Sequence, residues 1–157
     1  GYIMDKNELQ KYIIENIPIV KDMGFIIEKI KDNKVIVSGE YKKHINHTNS
    51  VFGGSISSVM TLAGWGRVRI LIEDIDSSAI ILIKNNSTDF IKPVVEDYIV
   101  ITEPLLKKDI EKLIKTYNRF GKGRIKVMAT LRHKNSLDTL AKFVGEFVVI
   151  KNQIKKW

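Results

Sequence analysis

The chain contains no cysteine, which excludes a disulfide framework, a thiolate metal site and a cysteine nucleophile. That absence also fits a reducing compartment. Only Pro18, Pro93 and Pro104 interrupt its 157 residues, and no Pro- or Ser-rich linker divides it. Aromatic residues make up 8% and do not interleave with the basic ones as a nucleic-acid platform requires. The longest apolar run, Ile56 to Ile72, carries Arg67 and Arg69, and each charge at mid-bilayer costs ~2.5–3.5 kcal/mol. Neither a nucleic-acid partner nor a membrane partner is therefore expected. Gly1 to Lys6 lack a basic stretch followed by an apolar core, so the expected location is cytoplasmic.

What is present describes one domain. A length of 157 residues with 44% apolar content supports a real core but not two of them. The formal charge of +8 gives a surface able to attract coenzyme phosphates or an acidic carrier protein. The lysines are scattered, however, which is also the pattern of an ordinary solvated surface.

Asp5 followed by Glu8 has the spacing of a capping box and predicts a helix over 5–16, stopped by Pro18. Strands are expected at 24–30 and 35–41, joined by the turn-prone Lys31-Asp32-Asn33-Lys34. The polar stretch Asn46-His47-Thr48-Asn49-Ser50 then leads through Val51-Phe52-Gly53-Gly54-Ser55 into a helix ending near Asp74. That helix is apolar around most of its circumference, the mark of an element buried on several sides. Next, Ala79–Ile83 reads as a strand covered on both faces, Asn85–Asp89 as a polar loop, and 98–102 as a strand. A second amphipathic helix is expected over 104–119, with Pro104 in its first position and Gly121 ending it. Two long strands close the chain at 124–132 and 139–150. The order predicts an α+β fold, one largely antiparallel sheet wrapped around one apolar helix.

The first turn of such a helix carries unpaired N–H groups and the positive end of its dipole. Glycines there admit close approach of another molecule. The start of the helix at Gly53-Gly54 is thus suited to polarising a carbonyl or holding an anion.

Phe52-Gly53-Gly54-Ser55, the helix segment Leu62-Ala63-Gly64-Trp65 and the later Asp89-Phe90-Ile91-Lys92-Pro93-Val94 resemble the hot-dog fold. They are most similar to the thioesterase domain that also occurs C-terminal to acetyltransferase domains in some bacterial proteins. The resemblance covers about 17–150 of a single hot-dog domain spanning 1–157, to which an N-terminal helix and the inserted helix near 104–119 are added. It implies a homodimer or higher assembly, with an acyl thioester of coenzyme A or acyl carrier protein bound at the dimer interface. The thioester carbonyl would meet the start of the central helix.

Hydrolysis of a thioester needs an oxyanion donor and an activated water or nucleophile. The backbone N–H of Gly54 or Ser55 supplies the first. For the second, hot-dog thioesterases often carry a carboxylate two turns into the central helix, where this chain has Thr61; no carboxylate occurs in the helix before Glu73. The resemblance therefore points to Asn46 and Thr61 as water-positioning groups and to Asp89, from a loop, as a base near the partner's helix start. Phe52, Gly53, Ser55 and Ser58 complete the expected substrate-binding set, Ser58 and Thr61 sharing a face. His44 and His47, three apart, lack the further ligands of a metal site, and His47 alone is a weaker candidate base. No metal and no cofactor are expected. The expected activity is metal-independent hydrolysis of acyl-CoA or acyl-ACP; the alternative is a protein that binds or senses the acyl thioester without cleaving it.

Overall fold

In the computed structural model, which describes residues 4–153, Asp5 opens α1 (Lys6–Asn16) with the expected capping box: its side chain accepts from the Glu8 N–H at 2.8 Å, and Glu8 accepts in return. The leading residues Gly1 to Ile3 lie outside this range. Gln10 of α1 fastens the helix to the backbone around β1 (Ile26–Lys31), donating to the Phe25 carbonyl at 2.8 Å and accepting from the Ile27 N–H at 2.7 Å. A side chain that satisfies an edge strand's free groups also blocks pairing there with another chain. Between α1 and β1 runs the short α2 (Val20–Met23), ended by Gly24 at φ +67°. β1 turns into β2 (Lys34–Gly39) through Asp32 and Asn33, both at positive φ, the geometry of a tight hairpin turn.

The central helix α3 runs from Gly53 to Glu73. Its apolar residues Ile56, Val59, Met60, Ala63, Val68 and Ile72 are buried, as the sequence predicts. Two glycines let its neighbours come close. A Cβ on Gly64 would stand 2.9 Å from the Phe147 ring, and one on Gly66 would stand 3.3 Å from Leu9 of α1. The sheet and α1 therefore press on the helix at positions two residues apart. Trp65 stacks on Tyr12 at 5.8 Å and donates its ring N–H to the Ile81 carbonyl at 3.1 Å.

Both arginines of α3 are buried. Arg69 forms an ion pair with Glu73 at 2.6 Å and donates to the carbonyls of Asp76, Ser77 and Ala79. It ties the end of the helix to the turn beyond it. Arg67 donates to the Asn33 carbonyl at 3.1 Å, and burial lowers its pKa to about 10, which leaves it cationic at neutral pH. Among the described residues no helix is long and apolar enough to cross a membrane.

After α3 come β3 (Ile80–Phe90), β4 (Tyr98–Thr102), α4 (Lys107–Phe120), β5 (Lys122–His133) and β6 (Ala141–Ile150). The strand order is β1-β2-β4-β5-β6-β3, every neighbouring pair antiparallel. The expected α+β architecture, an antiparallel sheet wrapped around one helix, is what forms.

Three local expectations need correction. Asn85–Asp89 is not a loop, because β3 continues through it with backbone pairing to β6, after a register shift between Ile83 and Asn85. Ala79–Ile83 is not covered on both faces, because β3 is an edge strand and leaves Leu82 and Ile83 46% and 37% exposed. Pro104 does not begin α4; the helix starts at Lys107, Leu106 is its extended N-cap, and Leu105 before it is buried.

Candidate functional site

The segment before α3 folds into a closed loop. Ile45 bridges Val51, the Phe52 N–H donates to the His44 carbonyl at 2.8 Å, and the Val51 N–H donates to the Val94 carbonyl at 2.8 Å. Within the loop the Asn46 N–H donates to the Ser50 carbonyl, and Asn49 takes a positive φ of 57°, which asparagine tolerates well. Tyr41 donates its hydroxyl to the Asn49 carbonyl.

The side-chain oxygen of Asn46 accepts from the N–H groups of Thr48 and Ser50 at 2.9 and 3.2 Å and from both of their hydroxyls. Two backbone donors fix the orientation of the amide. Its oxygen is consumed by the loop, and only the NH2 group remains to meet a ligand. Asn46 can therefore donate to a carbonyl or to a water oxygen, but it cannot take a proton.

The helix start is uncapped. Phe52 occupies the N-cap without any side-chain hydrogen bond, and the first turn holds no acidic residue. The Ser55 and Ile56 N–H groups donate to the Phe52 carbonyl at 3.0 and 3.2 Å. Among the described residues those of Gly53 and Gly54 have no protein acceptor. Of the two oxyanion donors expected from the sequence, Gly54 is thus available and Ser55 is engaged.

Exposed apolar side chains surround this point. The Phe52 ring lies over Gly54, so close that a Cβ there would stand 2.4 Å from it, and the Phe90 ring rests against Gly53. The two side chains are 59% and 54% exposed. An uncovered apolar rim of this kind marks a place for an apolar ligand or a partner.

The other expected residues divide into two groups. Gly54, Ser58 and Thr61 follow one another at four and three residues and so share one face of α3. Ser58 bonds back to the Gly54 carbonyl at 2.8 Å, and Thr61 is half-buried two turns in. Asp89 falls elsewhere. It is the penultimate residue of β3, opposite Lys142, and strand side chains alternate between faces. Because Phe90 turns onto Gly53, Asp89 lies on the face away from its own helix start.

One pairing was not anticipated from the sequence. His44, considered there only as a metal ligand, has Nδ1 2.8 Å from the Ser55 hydroxyl and Nε2 2.7 Å from the Met23 carbonyl. The two residues are eleven apart, and closure of the loop between them brings them together. The nearest sequence signal is the turn-rich Asn46–Ser50 stretch. His47 is exposed on the loop, and among the described residues no three histidine or carboxylate side chains gather as a metal site.

Comparison with known proteins bears on this geometry. Residues 6–151 match the family described as Putative thioesterase (yiiD_Cterm). A protein of unknown function from Chlorobaculum tepidum TLS has the same fold, with a TM-score of 0.87 at 21% identity over 94% of each chain. The structure from Shewanella oneidensis described as "putative thioesterase" gives 0.81 at 23% identity, over 92% of this chain and 96% of that one. A thioesterase from Haemophilus influenzae gives 0.75 at 9% identity, over 96% and 93%. At these identities the likeness speaks for the fold, which is the hot-dog fold.

Proposed function

Because the chain belongs to the Putative thioesterase (yiiD_Cterm) family, we propose that it hydrolyses acyl thioesters, with the carbonyl polarised at the start of α3. The observation that carries this reading is the pair of uncapped N–H groups at Gly53 and Gly54, set among exposed Phe52 and Phe90 rings. A preorganised donor aimed at a developing oxyanion is worth ~2.7–4 kcal/mol in acyl transfer. The positive end of a long helix adds to that stabilisation.

Within this proposal the carrier is coenzyme A or acyl carrier protein, and the basic surface attracts either. The Asn46 NH2 group is a further donor to the carbonyl or to water, and Thr61 lies along the helix face on which the acyl chain rests. Asp89 has no part in it within one chain, since it lies on the opposite face of the sheet. The functional unit is a homodimer formed through the free edge of β3.

A second reading is favoured by one observation: α3 carries no carboxylate before Glu73. On that reading the protein binds or senses the acyl thioester without cleaving it. A thiol-release assay across acyl-CoA chain lengths, repeated with acyl-ACP, separates the two. Turnover supports the hydrolase; saturable acyl-CoA binding without thiol release supports the sensor.

A further inference from the structure

The geometry points to Ser55 as the nucleophile of this hydrolysis and to His44 as its base, an inference that rests on the thioesterase reading above. It begins with a tautomer. The Met23 carbonyl can only accept, so Nε2 of His44, 2.7 Å away, must hold the ring hydrogen. Nδ1 of the neutral ring then presents its lone pair, and the Ser55 hydroxyl at 2.8 Å donates to it. The result is a chain of serine, histidine and an orienting acceptor, the arrangement by which a weak hydroxyl nucleophile is activated. A backbone carbonyl stands where a carboxylate is more familiar. It fixes the ring and accepts from the imidazolium, but it contributes no full negative charge.

Position supports the assignment as much as hydrogen bonding does. Ser55 lies in the first turn of α3, one residue beyond Gly54, where the helix dipole favours developing negative charge. The alternatives are poorer. Asn46 has only donors to offer, Asp89 lies on the sheet face away from its own helix start, and the helix lacks a carboxylate before Glu73.

The chemistry closes without a further reagent. Ser55 Oγ bonds to the thioester carbonyl carbon as its proton passes to His44 Nδ1, and the carbonyl oxygen becomes an oxyanion beside the Gly53 and Gly54 N–H groups. The C–S bond breaks, and the departing thiolate takes the proton from His44. Water then attacks the acyl-Ser55 ester while giving a proton to His44. Collapse of the second oxyanion expels the Ser55 oxygen, which recovers that proton. The sum is thioester plus water to carboxylic acid plus thiol.

The test uses the full chain with acyl-CoA esters. Ser55→Ala should lower kcat by about 100-fold or more, the scale of lost nucleophile–base action, with KM changed far less. Acid quenching of the wild type during turnover should trap the mass of one acyl group on the peptide holding Ser55. Phenylmethylsulfonyl fluoride should label the same peptide, a readout that needs no folded variant. A wild type that turns over, with Ser55→Ala within about threefold of it and no acyl or sulfonyl adduct, overturns the nucleophile and leaves the thioesterase standing. A wild type that releases no thiol from any acyl-CoA or acyl-ACP overturns both.

Discussion

The Phe90 ring lies against Gly53, so that a Cβ on Gly53 would stand 3.6 Å from the ring edge. The end of the edge strand thus reaches the start of the central helix and leaves room there for one methyl group at ordinary contact distance. Gly54, one residue on, differs sharply: a Cβ there would stand 2.4 Å from the Phe52 ring.

That difference is testable in activity. Gly53→Ala should keep kcat/KM within about threefold, because its methyl finds ordinary contact distances and its N–H is retained. Gly54→Ala must displace the Phe52 ring from its place over the helix start and should cost about tenfold or more. Kinetics of the two variants on one acyl-CoA decide it, and equal rates would contradict the arrangement of rings described here.

Much of this framework is legible in the sequence, and for identifiable reasons. The central helix declares itself because burial on several sides leaves it apolar around most of its circumference, and β5 does so because Ile125, Val127, Ala129 and Leu131 alternate with neighbours that are polar except for Met128. Asn85–Asp89 is misleading because an edge strand can be held by its backbone alone while its side chains face water. Leu105 is likewise buried ahead of the helix, where proline followed by a mixed pattern reads as helix. At the site, Gly53-Gly54 is visible as a helix start. The His44–Ser55 contact is not, since it depends on how the intervening loop closes.

Arg69 should matter for stability beyond its neighbours. Its guanidinium is buried, paired with Glu73 at 2.6 Å and bonded to the carbonyls that follow the helix. Arg69→Leu leaves those acceptors and a mostly buried carboxylate unpaired, at a cost of about 3 kcal/mol. Thermal denaturation should then fall by roughly 6–12 °C, taking ~2–4 °C per kcal/mol for a chain of this size. A midpoint within a degree or two of the wild type would show that the clamp contributes little.

The contact between Asp76 and Tyr117, 2.5 Å long, gives stability a pH dependence with a defined sign. The Tyr117 hydroxyl, followed by Ser78, holds the Asp76 carboxyl below its ordinary range. Its stabilising effect is full above the ordinary carboxylate pKa and is lost as pH falls through the depressed one. Burial, and then the Asp76 contact, raise the Tyr117 pKa to about 12. That contribution is full below the ordinary phenol pKa of about 10 and is lost as pH rises towards the raised value. Melting curves across pH should show Tyr117→Phe destabilised near neutrality by about 1 kcal/mol, with the difference narrowing at both extremes. A constant difference at all pH values would contradict the coupling.

The free edge of β3, with its exposed Leu82 and Ile83, should pair two copies of the chain. Light scattering of the wild type is expected to give twice the chain mass. Ile83→Lys, which places a charge on that edge, should raise the dimer dissociation constant by about tenfold or more, as expected for ~1.4 kcal/mol or more lost from an interface. A monomeric wild type at micromolar concentration, or a variant that dimerises equally well, would exclude pairing through this edge.

The claim on which the rest depends is that a thioester carbonyl docks at the uncapped start of α3. A crystal structure with an acyl-CoA analogue in which a ketone methylene replaces the sulfur tests it most directly. The carbonyl oxygen is expected about 2.7–3.1 Å from the Gly54 nitrogen, the distance of a working oxyanion donor. A bound analogue whose carbonyl lies elsewhere, with the Gly53 and Gly54 N–H groups still facing water, would contradict the account.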